Sequence, residues 1–217
     1  LAPGSGRFEV AEPTGATQDP LPVWYHRPAS WRPGAKVVVV LHGMGRHAEG
    51  YRDAWAPHAE HFGFLVVVAE FSRAKYPGDG WYNDGAVLGR DGSIRPQGTW
   101  SFFALDRAVA AALREAGAPA ESPVALYGHS AGAQFAHRYL LLTGAPHAEA
   151  VVIANAGSYT LPDLALPFVM GLAGTGVTAE ALRGVFDRRV TILLGEEDTN
   201  PHHRALPHEG FAEAEGP

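Results

Sequence analysis

Apolar residues gather into five short runs, at 37–41, 64–69, 124–127, 151–154 and 190–194. Each run is four to six residues long, is led by Val, Leu and Ile, and is bounded by turn-forming residues. That pattern predicts strands buried on both faces of a parallel sheet. Between the runs, apolar positions recur at helical spacing. Residues 102–116 place Leu105, Val109, Ala112 and Leu113 on one stripe, with Arg107 and Arg114 opposite. Ser101 is positioned to cap the start of this helix and Gly117 to take the left-handed position beyond its end. Further helices are expected over 51–61 and 133–142, the last stopped by Gly144. Residues 1–35 are rich in Pro and Gly. Within them Arg7-Phe8-Glu9-Val10 and Val23-Trp24-Tyr25 alternate as antiparallel edge strands do.

Strands alternating with helices predict an α/β fold: a doubly wound, mostly parallel sheet led by antiparallel edge strands. All 217 residues read as one domain, with an edge-strand segment at about 1–35. In such sheets ligands bind at the carboxyl ends of the strands. Segment 71–100 reads as a long loop near those ends, and loops of that length are usually functional.

Composition narrows the classes. A net charge of -6 argues against nucleic-acid partners, and no apolar run is long enough to span a membrane. The absence of cysteine removes disulfides, thiolate metal sites and a cysteine nucleophile. The chain opens Leu1-Ala2-Pro3-Gly4 without Met. This start is read as a processed or trimmed N-terminus, leaning toward a secreted protein.

The chemistry-bearing motif is Gly128-His129-Ser130-Ala131-Gly132, which follows a strand and opens a helix. A serine on such a strained turn projects its hydroxyl above the sheet, and glycine is expected two residues to either side because side chains there would collide. The helix N-terminus turns backbone N–H groups toward a developing oxyanion. Ser130 is therefore expected to be the nucleophile. The backbone N–H groups of Ala131 and of Met44, in His42-Gly43-Met44-Gly45, are the expected oxyanion donors. His42, directly at a strand end, is expected to be structural rather than a base. Past the last apolar run, Gly195-Glu196-Glu197-Asp198 offers Asp198 as the acid that orients the base.

The base is harder to place. Only 19 residues follow Asp198, and His202, His203 and His208 lie four to ten positions beyond it. A crossover helix and final strand need a dozen residues or more. The expectation is that the last helix and strand, and the catalytic histidine with them, are missing from this chain. The three histidines read as weak candidates. No metal site and no cofactor are expected.

The same loop supports a rival reading. Gly43-Met44-Gly45-Arg46-His47-Ala48 fits a dinucleotide-binding turn, with Glu70 ending the next strand where a ribose contact would fall. That reading, an NAD(P)-binding oxidoreductase, leaves the motif at Ser130 unexplained. A third reading is a non-catalytic protein that binds a ligand in the same cleft.

Four segments carry a resemblance: Val39-Val40-Leu41-His42-Gly43-Met44-Gly45-Arg46, Gly128-His129-Ser130-Ala131-Gly132-Ala133-Gln134-Phe135, Ala154-Asn155-Ala156-Gly157 and Leu194-Gly195-Glu196-Glu197-Asp198. On these the chain resembles bacterial α/β-hydrolases related to polyhydroxybutyrate depolymerases and feruloyl-esterase-like serine hydrolases. The resemblance implies an α/β-hydrolase fold and ester hydrolysis through a Ser-His-Asp triad and an acyl-enzyme. It assigns Ser130 as nucleophile and Asp198 as acid, and places the histidine beyond the point where this chain ends. The expected partner is a small-molecule or polymeric ester, with Trp81, Tyr82 and Asn155 as candidate substrate contacts.

Overall fold

The computed structural model describes residues 1–197. Seven strands form one sheet in the order β1-β2-β4-β3-β5-β6-β7. Strands β3 (Val37–Leu41), β4 (Leu65–Ala69), β5 (Val124–His129), β6 (Ala148–Ala154) and β7 (Arg189–Leu193) run parallel. The two leading strands, β1 (Gly4–Val10) and β2 (Leu21–Arg27), are antiparallel, and β2 joins them to β4. The five apolar runs thus become the parallel strands, and the two alternating stretches become the antiparallel edge.

β3 and β4 show why unbroken apolar runs make central strands. Val37, Val39 and Leu41 enter one core with Leu65, Val67 and Ala69, while Val38, Val40, Val66 and Val68 enter a second core. The first core is closed by α3 (Ser101–Glu115), α4 (Ala131–Thr143) and α5 (Ala179–Phe186), through residues such as Leu105, Val109, Phe135, Leu182 and Val185. The second is closed by α1 (Ala48–Phe62), through Ala48, Ala59, Tyr51 and Trp55. Helices on both faces leave the strand ends as the open side on which the loops converge.

Three local features differ from expectation. Ser101 does not cap α3; Trp100 holds the cap position, and the Ser101 hydroxyl donates to the Trp81 carbonyl at 2.7 Å. Helix α5 escapes the sequence reading because its apolar stripe is short, although Thr178 caps it by accepting from the Ala181 N–H at 3.1 Å. Segment 71–100 is ordered into a one-turn helix α2 (Gly78–Trp81), a bridge between Leu88 and Ile94, and a 3-10 turn at Gln97–Thr99. Gly117 and Gly144 take positive φ (+67° and +74°) beyond α3 and α4, as expected. Asp198, His202, His203 and His208 lie outside the described residues.

Candidate active site

Ser130 joins β5 to α4 with φ 55° and ψ -117°. Only glycine reaches that backbone region without strain, and such strain collects at functional turns. The flanking glycines explain how the turn is tolerated. A Cβ on Gly128 would lie 2.2 Å from the Gly132 carbonyl oxygen, and one on Gly132 would lie 2.2 Å from that of Leu41. Glycine at 132 thus lets α4 approach the end of β3. The Ser130 N–H donates to the Ala154 carbonyl at 2.9 Å, so β6 holds the turn from its other side. Ser130 is half-buried, at the N-terminus of a 13-residue helix whose dipole favours negative charge.

The loop after β3 faces this turn. A Cβ on Gly43 would lie 3.6 Å from Ser130 Cβ, 3.8 Å from His129 Nδ1 and 3.0 Å from the Tyr51 hydroxyl. Tyr51, from α1, is also paired with His129 Nδ1 at 2.7 Å, tying the two loops together. The chain turns back at 43–46, where the Arg46 N–H donates to the Gly43 carbonyl at 3.0 Å and Arg46 takes φ 58°. Arg73 donates to the Met44 carbonyl at 2.7 Å, which fixes this loop from outside.

His42 secures the loop from below. The Phe71 N–H donates to its Nε2 at 3.1 Å, so the ring proton sits on Nδ1, which donates to the Gly43 carbonyl at 3.1 Å. Burial pushes its pKa down to about 3. Neutral and with both nitrogens occupied, His42 is structural, as its place at the strand end suggested. Tyr82 completes the support: it is fully buried, its ring 4.9 Å from that of His42, and its hydroxyl donates to the His42 carbonyl at 2.7 Å. That placement corrects its expected role, because a buried ring with a committed hydroxyl holds the loop and lines no surface. The Arg46 guanidinium stacks 4.1 Å from the centre of the same ring and donates to the Phe71 and Gly78 carbonyls.

Of the other expected contacts, Trp81 is half-buried beneath the Arg95 guanidinium, 4.7 Å from its ring centre. Asn155 is half-buried at the end of β6, with φ 50°, and its N–H donates to the Leu193 carbonyl at 2.9 Å. The sequence reading missed a polar network on α4. Arg138 is 1 % exposed and donates to the Thr160 hydroxyl (2.9 Å), the Asn83 carbonyl (3.0 Å), Gln134 Oε1 (3.2 Å) and the Ser158 hydroxyl (3.1 Å). Its guanidinium also pairs with Asp84 at 3.0 Å. His137 repeats the device of His42: it accepts from the Thr160 N–H at 2.9 Å, donates to the Ala133 carbonyl, and is held by burial at a pKa of about 3. The helix that begins after Ser130 thereby pins the loops at 83–84 and 158–160. An arginine in a helix reads as a solvent-facing residue, so no sequence signal marked this one.

Glu70, the ribose contact of the dinucleotide reading, accepts the Trp24 indole N–H on one carboxylate oxygen at 2.7 Å. Among the described residues no cluster of three His, Asp or Glu side chains could hold a metal ion, and no helix is long and apolar enough to cross a membrane.

No protein-family model matches the chain, and a search of curated proteins finds no match. Solved structures do match. Poly(aspartic acid) hydrolase-1 from Sphingomonas sp. KT-1 superposes with a TM-score of 0.90 at 36 % identity, over 100 % of this chain and 80 % of that one. The poly(3-hydroxybutyrate) depolymerase LpqC from Bordetella parapertussis gives 0.87 at 34 % identity, over 100 % and 73 %. A dienelactone hydrolase-like protein from Klebsiella pneumoniae, at 18 % identity and a TM-score of 0.51, shares the fold alone. With a third of its residues identical along its whole length to two such hydrolases, the chain belongs to the poly(3-hydroxybutyrate) depolymerase-like family of α/β-hydrolases.

Proposed function

We propose that the chain is a serine hydrolase that cleaves carboxylic esters through an acyl-enzyme on Ser130. The observation that carries this reading is the strained Ser130 backbone between glycines that have no room for a side chain, with Ser130 Cβ 3.6 Å from where a Cβ on Gly43 would stand. In the proposed reaction the Ser130 hydroxyl attacks the ester carbonyl as a histidine takes its proton. The N–H groups of Met44 and Ala131 hold the oxyanion, the alcohol leaves with the proton, and water then releases the acid. Asp198 orients the histidine. Neither His42 nor His137 serves as that base, since both nitrogens of each are committed to backbone groups.

The relatives named for poly(aspartic acid) hydrolysis and poly(3-hydroxybutyrate) depolymerisation extend the proposed substrates to polymeric chains. Hydrolysis of p-nitrophenyl butyrate by the chain and by Ser130→Ala tests the reading. A fall of about a thousandfold or more in turnover is expected. Equal turnover by the variant would overturn it, whereas folded protein that binds esters without turning them over fits both a chain without its base and the non-catalytic alternative.

A further inference from the structure

Asn83 is 4 % exposed, and its carboxamide lies between the Met44 loop and α4. Its Nδ2 is 3.3 Å from Gln134 Oε1 and 3.8 Å from Met44 Sδ. Arg138 decides which way this carboxamide is turned. A guanidinium only donates, so the Gln134 atom it meets at 3.2 Å is the oxygen. The Ser158 hydroxyl donates to that oxygen as well, at 3.1 Å. Asn83 must therefore present its nitrogen to Gln134 and turn Oδ1 away.

That Oδ1 is buried and has no hydrogen-bond partner among the described residues. Four other buried side-chain atoms share this condition: Arg27 Nε, Arg46 Nε and the hydroxyls of Tyr76 and Tyr159. All four can donate, whereas Asn83 Oδ1 can only accept. An unfilled buried acceptor is costly, and in a native protein it calls for a water, a ligand or a function. The carboxamide that carries it lies beside the loop proposed to bind the oxyanion. Its Nδ2 meets the Met44 side chain there, a flexible thioether on a residue 40 % exposed, which an entering ligand can push aside.

Resting on the reading of Ser130 as nucleophile, we propose that Asn83 determines specificity, with Oδ1 accepting a hydrogen bond from an N–H or O–H donor carried by the substrate chain near the scissile carbonyl. Such a site favours chains with an amide or hydroxyl over chains of the same shape that lack the donor, because the empty acceptor then stays unpaired.

Two isosteric pairs of p-nitrophenyl esters test this. N-acetyl-β-alaninate against 5-oxohexanoate exchanges N–H for CH2, and 3-hydroxybutyrate against 3-methylbutyrate exchanges hydroxyl for methyl. The expected result is a kcat/KM ratio of about tenfold or more in one pair, collapsing toward unity in Asn83→Leu. The responding pair identifies the donor as amide or hydroxyl. Ratios within about twofold in both pairs, as a resident water on Oδ1 would give, overturn the proposal while Ser130-dependent turnover still stands. If no ester is hydrolysed, or Asn83→Leu does not fold, binding decides. In 15N-labelled Ser130→Ala protein the Asn83 side-chain amide signals should shift with the methyl ester of N-acetyl-β-alanine or of 3-hydroxybutyrate, and not with the two isosteres. Signals unmoved by all four, or moved alike, overturn it.

Discussion

The first turn of α4 meets the end of β3 backbone to backbone, and a Cβ on Gly132 would stand 2.2 Å from the carbonyl oxygen of Leu41. No side-chain adjustment relieves such a contact, because both partners are main chain. Gly132→Ala must push the helix off the strand or move the Ser130 turn, and the expected cost is about 3 kcal/mol or more. Gly184, within α5, is the contrast: nothing lies within 4 Å of its added Cβ. Gly184→Ala should stabilise the protein by about 0.5–1 kcal/mol through helix propensity. Urea midpoints for both variants check the pair, and equal effects of one sign would refute the packing argument.

Arg138 yields the second prediction. Its guanidinium is buried and serves Asp84, Thr160, Asn83, Gln134 and Ser158 at once. Arg138→Met keeps most of the volume, removes every donor and leaves the half-buried Asp84 carboxylate without its counter-charge. The expected loss is about 3–5 kcal/mol. For a chain of this size that lowers Tm by roughly 10 °C. Arg138→Lys should recover only part of it, since one ammonium cannot reach five partners. A Tm unchanged in Arg138→Met would mean the network is ornamental.

The sheet was legible in the sequence for a physical reason. A central strand must be apolar on both faces, so β3 and β4 read as unbroken Val and Leu runs. The Ser130 turn was legible because its glycines answer to backbone collisions that any such turn imposes. What stayed hidden depends on pairings between distant segments. Tyr82 reads as an aromatic loop residue, yet the His42 carbonyl draws its hydroxyl inward. Ser101 reads as a cap, yet the Trp81 carbonyl claims it. Arg138 belongs to a helix on which the distant loops at 83–84 and 158–160 close, and periodicity cannot report a partner 55 residues away, as Asn83 is.

His42 and His137 make stability depend on pH. Burial holds both near pKa 3, below the unfolded value of about 6.5. The unfolded chain therefore binds two more protons than the folded one between those limits. Their contribution is fully present above about pH 6.5 and is lost as pH falls toward 3. Between pH 6 and 4 the pair should lower stability by about 2–3 kcal/mol per pH unit. Urea unfolding across that range measures the slope, and replacing His137 by Gln should remove about half of it. A flat profile from pH 7 to 4 would show that neither ring is held neutral.

The Ser130 backbone gives the prediction that separates function from stability. At φ 55° and ψ -117° a residue bearing a Cβ stores roughly 1–3 kcal/mol of strain, which glycine does not. Against that gain, glycine increases the entropy of the unfolded chain by roughly 0.4–1 kcal/mol. Ser130→Gly should therefore be more stable than the parent by about 1 kcal/mol, while Ser130→Ala, which keeps the Cβ, should be close to neutral. Both variants lose the hydroxyl, so both should lose turnover alike. Chemical denaturation of the three proteins checks the order. If Ser130→Gly is the least stable, the turn is relaxed in the folded protein. The conformation would then be no evidence of a nucleophile held against its own backbone preference.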